Sequence, residues 1–317
     1  MSGKSIDRRT ALALIGATSI ASVARGDGTA AMSPRVSAGR LERIADFPSR
    51  HVAPRPVDVW LPPGYDGTRR HAVLYMHDGQ MLFDPATTWN HQAWRVDAVA
   101  APMIAAGELR DFIVVGPWNG GASRHAEFYP QGFLDHLQPP ALRDRFVREA
   151  LQGRPRADDY LRFLVEELKP AIDARYATRS GREDTFLMGS SMGALISIYA
   201  LLSHPEVFGA AAALSTHWIG TYERNTELPA AAVAWLRGHL PTDPARVRLY
   251  MDRGTTELDA LYDASQPLVD ALLKERGLGE PGWTSRVYPG KGHNERDWSE
   301  RLPVPLRFLL AAPQAAA

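Results

Sequence analysis

Several stretches of the chain are apolar without a break, and others are apolar at every third or fourth position. Ala72–Val73–Leu74–Tyr75–Met76 and Phe112–Ile113–Val114–Val115–Gly116 are of the first kind. Such runs suit strands buried on both faces. Val57–Leu61, Thr185–Met188, Ala210–Leu214, Val247–Met251 and Thr284–Tyr288 extend the series, and Pro62–Pro63–Gly64 stops the earliest of them. Tyr160, Leu161, Leu164, Val165, Leu168, Ile172 and Tyr176 recur at helical spacing behind Asp158 as a cap. Trp94–Ala106, Ser191–Leu202 and Gln266–Arg276 also read as helices. Buried strands alternating with helices predict an α/β fold, with a mostly parallel sheet flanked by helices on both faces. Residues 32–55 are polar and Pro-rich and read as a loose lead-in.

Residues 128–156 carry many charges and prolines and no clear strand. They read as an insertion beside the C-terminal edge of the sheet, where such folds place their sites. Its Arg143, Asp144, Arg145, Arg148, Glu149, Arg154 and Arg156 would give that site charged walls.

The N-terminus follows another logic. Lys4, Arg8 and Arg9 precede the Ala-rich apolar stretch Ala11–Ala24, and Ser22–Val23–Ala24 offers small residues for cleavage. Residues 1–31 therefore read as a bacterial signal peptide, twin-arginine-like, although Asp7 and Ala11 depart from that pattern. The stretch is too short for a stable span of ~20 residues. The expectation is an exported, periplasmic or secreted protein with residues 32–317 as a single domain.

The 317 residues hold 36 basic and 36 acidic side chains and no cysteine. The balance gives no electrostatic reason to expect nucleic acid. The missing cysteines exclude disulfides, thiolate nucleophiles and thiolate-ligated metals.

Gly189–Ser190–Ser191–Met192–Gly193 fits G-x-S-x-G between a strand and a helix. A serine hydroxyl becomes a nucleophile when it is exposed, near a base and near oxyanion donors. A tight strand-to-helix turn exposes it, and flanking glycines avoid collisions there. Ser191 is the candidate; Ser190 is not central between the glycines. The base is expected late in the chain, after an acid. His293, in Gly290–Lys291–Gly292–His293–Asn294, follows a strand. His217, in Ser215–Thr216–His217–Trp218, is the rival and reads better as pocket lining. The acid belongs to the segment after Val247–Met251. Asp252 is nearest the strand end and Glu257 lies further into the loop; spacing leaves both open.

These residues resemble the putative-esterase family of the α/β-hydrolase superfamily, which includes enterochelin esterases, S-formylglutathione hydrolases, feruloyl esterases and mycolyltransferases. The resemblance covers about residues 45 to 311. Its marks are Leu61–Pro62–Pro63–Gly64–Tyr65–Asp66, Tyr75–Met76–His77–Asp78–Gly79–Gln80 with Phe83–Asp84, Arg124, Glu127–Phe128–Tyr129–Pro130, the Ser191 motif, Gly254–Thr255–Thr256–Glu257, and Gly292–His293–Asn294 with Trp298. It implies Glu257 as the acid, with backbone amides of Met192 and Gln80 as the oxyanion hole. Arg124, Glu127, Tyr129, His217 and Trp218 are pocket candidates. The function expected is serine carboxylic ester hydrolysis through an acyl-enzyme, on a small-molecule or glycan-linked ester, with no cofactor, no metal and no stable membrane anchor. Acyl transfer to an alcohol and a non-catalytic binding module are the rivals.

Overall fold

The computed structural model describes residues 33–312. The signal-peptide reading of residues 1–31 lies outside them. Eight strands form one mixed sheet: β1 (Arg40–Phe47), β2 (Arg55–Leu61), β3 (Ala72–Met76), β4 (Phe112–Pro117), β5 (Thr185–Ser190), β6 (Ala210–Leu214), β7 (Leu249–Arg253) and β8 (Trp283–Val287). Their order is β1-β2-β4-β3-β5-β6-β7-β8. The strands from β4 across to β8 pair in parallel, while β1 and β2 join antiparallel at one edge. Every apolar run expected to be a strand is one. The lead-in held a strand that the sequence pattern missed. β1 is an edge strand whose residues stay half-exposed or exposed until Phe47, so it carries no apolar run to mark it.

Strand side chains alternate between two cores, as the pleat requires. Val73, Tyr75, Ile113, Val115 and Leu187 enter one; Leu74, Met76, Phe112, Val114, Phe186 and Met188 enter the other. The helices are α1 (Val96–Ala105), α2 (Arg124–Phe128), α3 (Pro140–Glu149), α4 (Ala157–Arg162), α5 (Lys169–Arg175), α6 (Met192–Ser203), α7 (Glu227–His239), α8 (Ser265–Glu275), α9 (Glu295–Arg301) and α10 (Pro303–Leu310). Buried residues of α4 to α8 pack into the first core; those of α1, α9 and α10 pack into the second.

The helix expected over Tyr160–Tyr176 is interrupted. A π-type turn at Phe163–Leu168 separates α4 from α5. Pro170 has no N–H to give to the preceding turn, which favours a wider ring there. Asp158 is no cap; it lies inside α4 and accepts from the Tyr199 hydroxyl at 2.7 Å. The charged segment 128–156 contains α3 and lies between β4 and β5. Among the described residues, no helix is long and apolar enough to cross a membrane.

Candidate active site

Ser191 stands between the end of β5 and the start of α6, with φ 56° and ψ −121°. An L-residue on that side of φ is strained by about 1–3 kcal/mol and needs its surroundings to hold it. Its N–H donates to Leu214 O at 3.0 Å, and its carbonyl accepts from Ala194 N at 3.1 Å and His217 N at 3.3 Å. Gly189 is required by the same turn: a Cβ there would stand 2.6 Å from the Gly193 carbonyl carbon. Gln80 follows a comparable constraint. A Cβ on Gly79 would stand 2.0 Å from Gly116 O, so glycine lets the Asp78–Met81 turn close over β4.

Ser191, Met192, Gln80 and His293 line one cavity of about 530 Å³. Met192 opens α6 and Gln80 sits in the short Gly79–Met81 turn. Among the described residues neither amide donates to a protein acceptor. Two N–H groups at the start of helical turns are suited to a developing negative oxygen.

His293 sits between β8 and α9. Its Nδ1 is 2.6 Å from Asp259 Oδ1. Its ring packs edge-on against Trp298 at 5.0 Å and Tyr262 at 5.9 Å. Asp259 is fully buried. Its other oxygen accepts from Ser215 Oγ at 2.6 Å and from the Gly254 amide. Burial alone would raise this carboxyl, but the His293 bond and charge, the Ser215 hydroxyl and the Gly254 amide outweigh it, holding Asp259 below the usual carboxylate range. An ionised Asp259 accepts a hydrogen bond from Nδ1–H, which fixes the tautomer that leaves Nε2 with its lone pair.

This geometry corrects the acid implied by the resemblance. Glu257 does not meet the imidazole. It accepts from the His293 backbone N–H at 2.7 Å and from Asn294 Nδ2 at 3.1 Å. The two acids share the short 3₁₀ turn Glu257–Leu261. With about three residues per turn, positions two apart point in different directions, so Asp259 faces inward and Glu257 clasps the loop from outside. Asp252 is also occupied elsewhere. It is fully buried, accepts from Tyr250 OH at 2.9 Å and pairs with Arg301 at 3.0 Å. Burial pushes it up to about 6, against the pull of Arg301 and Tyr250.

Of the pocket candidates, Arg124 and His217 line the cavity. Arg124 is gripped by Asp78 through Nε at 2.6 Å and Nη2 at 2.7 Å, and Asn119 Nδ2 donates to the same carboxylate at 2.7 Å. Glu127, Tyr129 and Trp218 are core residues instead. Glu127 is buried against Arg55, at 2.7 and 2.9 Å. Tyr129 packs on Phe133 and Phe146. Trp218 donates to Gln266 at 2.8 Å. Each follows a sequence mark of the site but points under it. The charges of segment 128–156 do not wall this cavity: Arg143, Asp144 and Arg148 line a separate groove with Gln131, Leu134 and Asp135. The Ser191 cavity is lined instead by Trp89, Trp94, Tyr222 and Trp298, with Asn90, Asn119, His125 and Glu295. Trp89 and Tyr222 are 84% and 79% exposed, large apolar rings held at the rim. Trp89 and Tyr222 stand in loops and gave no periodic signal that could have assigned them, whereas Trp298, on α9, was among the marks of the resemblance.

The family model described as "Putative esterase" matches residues 51–309, most of the chain and both sides of this site. The chain belongs to the putative esterase family. Among curated relatives, it is 22% identical to the uncharacterized protein YbbA of Bacillus subtilis, over 79% of this chain and 90% of that one. It spans between 22% and 55% of the length of four other curated relatives. Among solved structures of this esterase fold, a ferulic acid esterase superposes with a TM-score of 0.62 at 20% identity, covering 86% of this chain and 97% of that one. The enterobactin esterase of Shigella flexneri, solved in the presence of enterobactin, superposes with a TM-score of 0.64 at 18% identity, covering 87% and 60%. The α/β-hydrolase fold is common to this putative esterase and to both.

Proposed function

We propose that the chain is a serine carboxylic ester hydrolase with Ser191, His293 and Asp259 as its triad. The observation that carries this is the 2.6 Å bond from Asp259 to His293, beside the strained Ser191 that lines the same cavity. Ser191 Oγ attacks the acyl carbon while His293 Nε2 takes its proton. Asp259 keeps the imidazole in the right tautomer and stabilises its cation. The Met192 and Gln80 amides receive the oxyanion. His293 returns the proton to the leaving alcohol, and the same base then activates water on the acyl-enzyme. A cavity of about 530 Å³ is of small-molecule size, and its indole and phenol rings support an ester with a flat, apolar acyl part. The alcohol part is a small molecule or a glycan.

The test is covalent labelling by a fluorophosphonate. Wild-type protein is expected to label once and lose esterase activity, and folded Ser191→Ala to do neither. Undiminished labelling of Ser191→Ala overturns the assignment. The basic and apolar pattern of residues 1–31 supports action outside the cytoplasm, and an intact Met1 on the native protein would overturn that part.

A further inference from the structure

Beside the triad lies a second imidazole that the reaction above leaves without a task. His217 Nδ1 is 2.7 Å from the Tyr262 hydroxyl, and the His217 backbone N–H donates to the Ser191 carbonyl at 3.3 Å, which brings the Tyr262 hydroxyl beside the Ser191 side chain. Tyr262 is fully buried, with its ring edge-on to both imidazoles, 5.9 Å from each. We infer that Tyr262 and His217 form a positioning relay that holds the Ser191 hydroxyl toward His293. The inference rests on Ser191 being the nucleophile.

The proton arrangement follows from the donor inventory. Ser191 has one hydroxyl proton, and reaction requires it to go to His293 Nε2. The Tyr262 contact must then be a bond that Ser191 Oγ accepts. That uses the only proton of Tyr262, so its oxygen must accept from His217 Nδ1–H. The line runs from His217 Nδ1–H to Tyr262 O–H to Ser191 O–H to His293, and then to Asp259. Each link restricts the rotamer of the next, and no proton leaves its heavy atom until Ser191 attacks. The surroundings keep both relay members in these forms. Burial, then the neighbouring charges of His293, His125 and Arg124, hold His217 neutral well below its usual range. Burial, then Asp259, keep the Tyr262 phenol protonated. This also disfavours His217 as a rival base, because burial and the neighbouring positive charges disfavour its cation.

The experiment is a double-mutant cycle on Tyr262→Phe and His217→Leu, read as the second-order rate of fluorophosphonate labelling and as the kcat and KM of a short ester. Losing one hydrogen bond to a reacting oxygen is expected to lower labelling and kcat by about 10- to 100-fold, with KM within about threefold. His217→Leu is expected to cost about the same in wild type and almost nothing more in Tyr262→Phe, since the two act in series. His217→Asn, which keeps an N–H near Nδ1, is expected to recover part of the loss. Losses that multiply, or a Tyr262→Phe protein that labels at the wild-type rate, overturn the relay. If Tyr262→Phe does not fold, equal rates in His217→Asn and His217→Leu overturn it. Labelling of Ser191→Ala would overturn the nucleophile itself, a result separate from either of these.

Discussion

Asp259 and Glu257 are two residues apart and both touch His293, yet by different atoms. Asp259 meets the ring and Glu257 the backbone N–H. Asp259→Asn is therefore expected to lower kcat by roughly 10³- to 10⁴-fold, because an amide cannot stabilise the imidazolium and favours the wrong tautomer. Glu257→Gln keeps an acceptor for the loop and is expected to cost less than about tenfold. Steady-state kinetics on the two folded variants check this, and the reverse ranking would restore Glu257 as the acid. Gly189 is constrained more simply. Gly189→Ala drives a methyl group into the Gly193 carbonyl, and is expected to lower both the melting temperature and kcat by displacing Ser191 from its turn.

The short helix α2 connects the sheet to the cavity. Its Arg124 grips Asp78 at the cavity wall, while its Glu127 reaches back to Arg55 at the start of β2. Both Arg55 and Glu127 are almost wholly buried. Breaking such a pair strands a charge away from water, and Glu127→Ala is expected to cost about 3–5 kcal/mol in urea unfolding. Replacing both partners, as in Arg55→Met with Glu127→Met, is expected to recover most of that loss, because no unpaired charge remains. Since Glu127 does not line the cavity, KM is expected to stay within about twofold in whichever variant folds.

Acid resistance of the whole molecule is set partly by histidines buried without charge. Burial lowers His77 from 6.5 to about 4, against the pull of Asp78. A lowered histidine binds its proton in the unfolded chain before it does so in the folded one. Its contribution is complete above pH 6.5 and is lost as pH falls toward 4, by up to about 1.4 kcal/mol per pH unit. Asp252, raised to about 6, works in the opposite sense over much of that window, so the total slope is a poor readout. The difference between wild type and His77→Gln isolates one group. The variant is expected to gain on wild type steadily from pH 6.5 to pH 4 in urea titrations, and a constant difference would refute the buried neutral form.

The apolar runs of β3, β4 and β6 and the glycine-flanked Ser191 were legible without coordinates, because unbroken hydrophobicity and a tight turn are local properties of a few adjacent residues. Strand type, the helical layers and the position of the proposed nucleophile follow from them. β1 was not legible, since an edge strand with a solvated face has no such run. The choice among Asp252, Glu257 and Asp259 belonged to the tertiary structure. Asp252 lies in β7 and the other two carboxylates follow it closely, and only the direction of a 3₁₀ turn and the reach of the His293 loop decide which one meets the imidazole. The same holds for Glu127, Tyr129 and Trp218, which sit beside site residues in the chain but point into the core. The partnership of His217 with Tyr262 joins residues 45 apart in the chain, and it exists because β6 and the loop after β7 end side by side over Ser191.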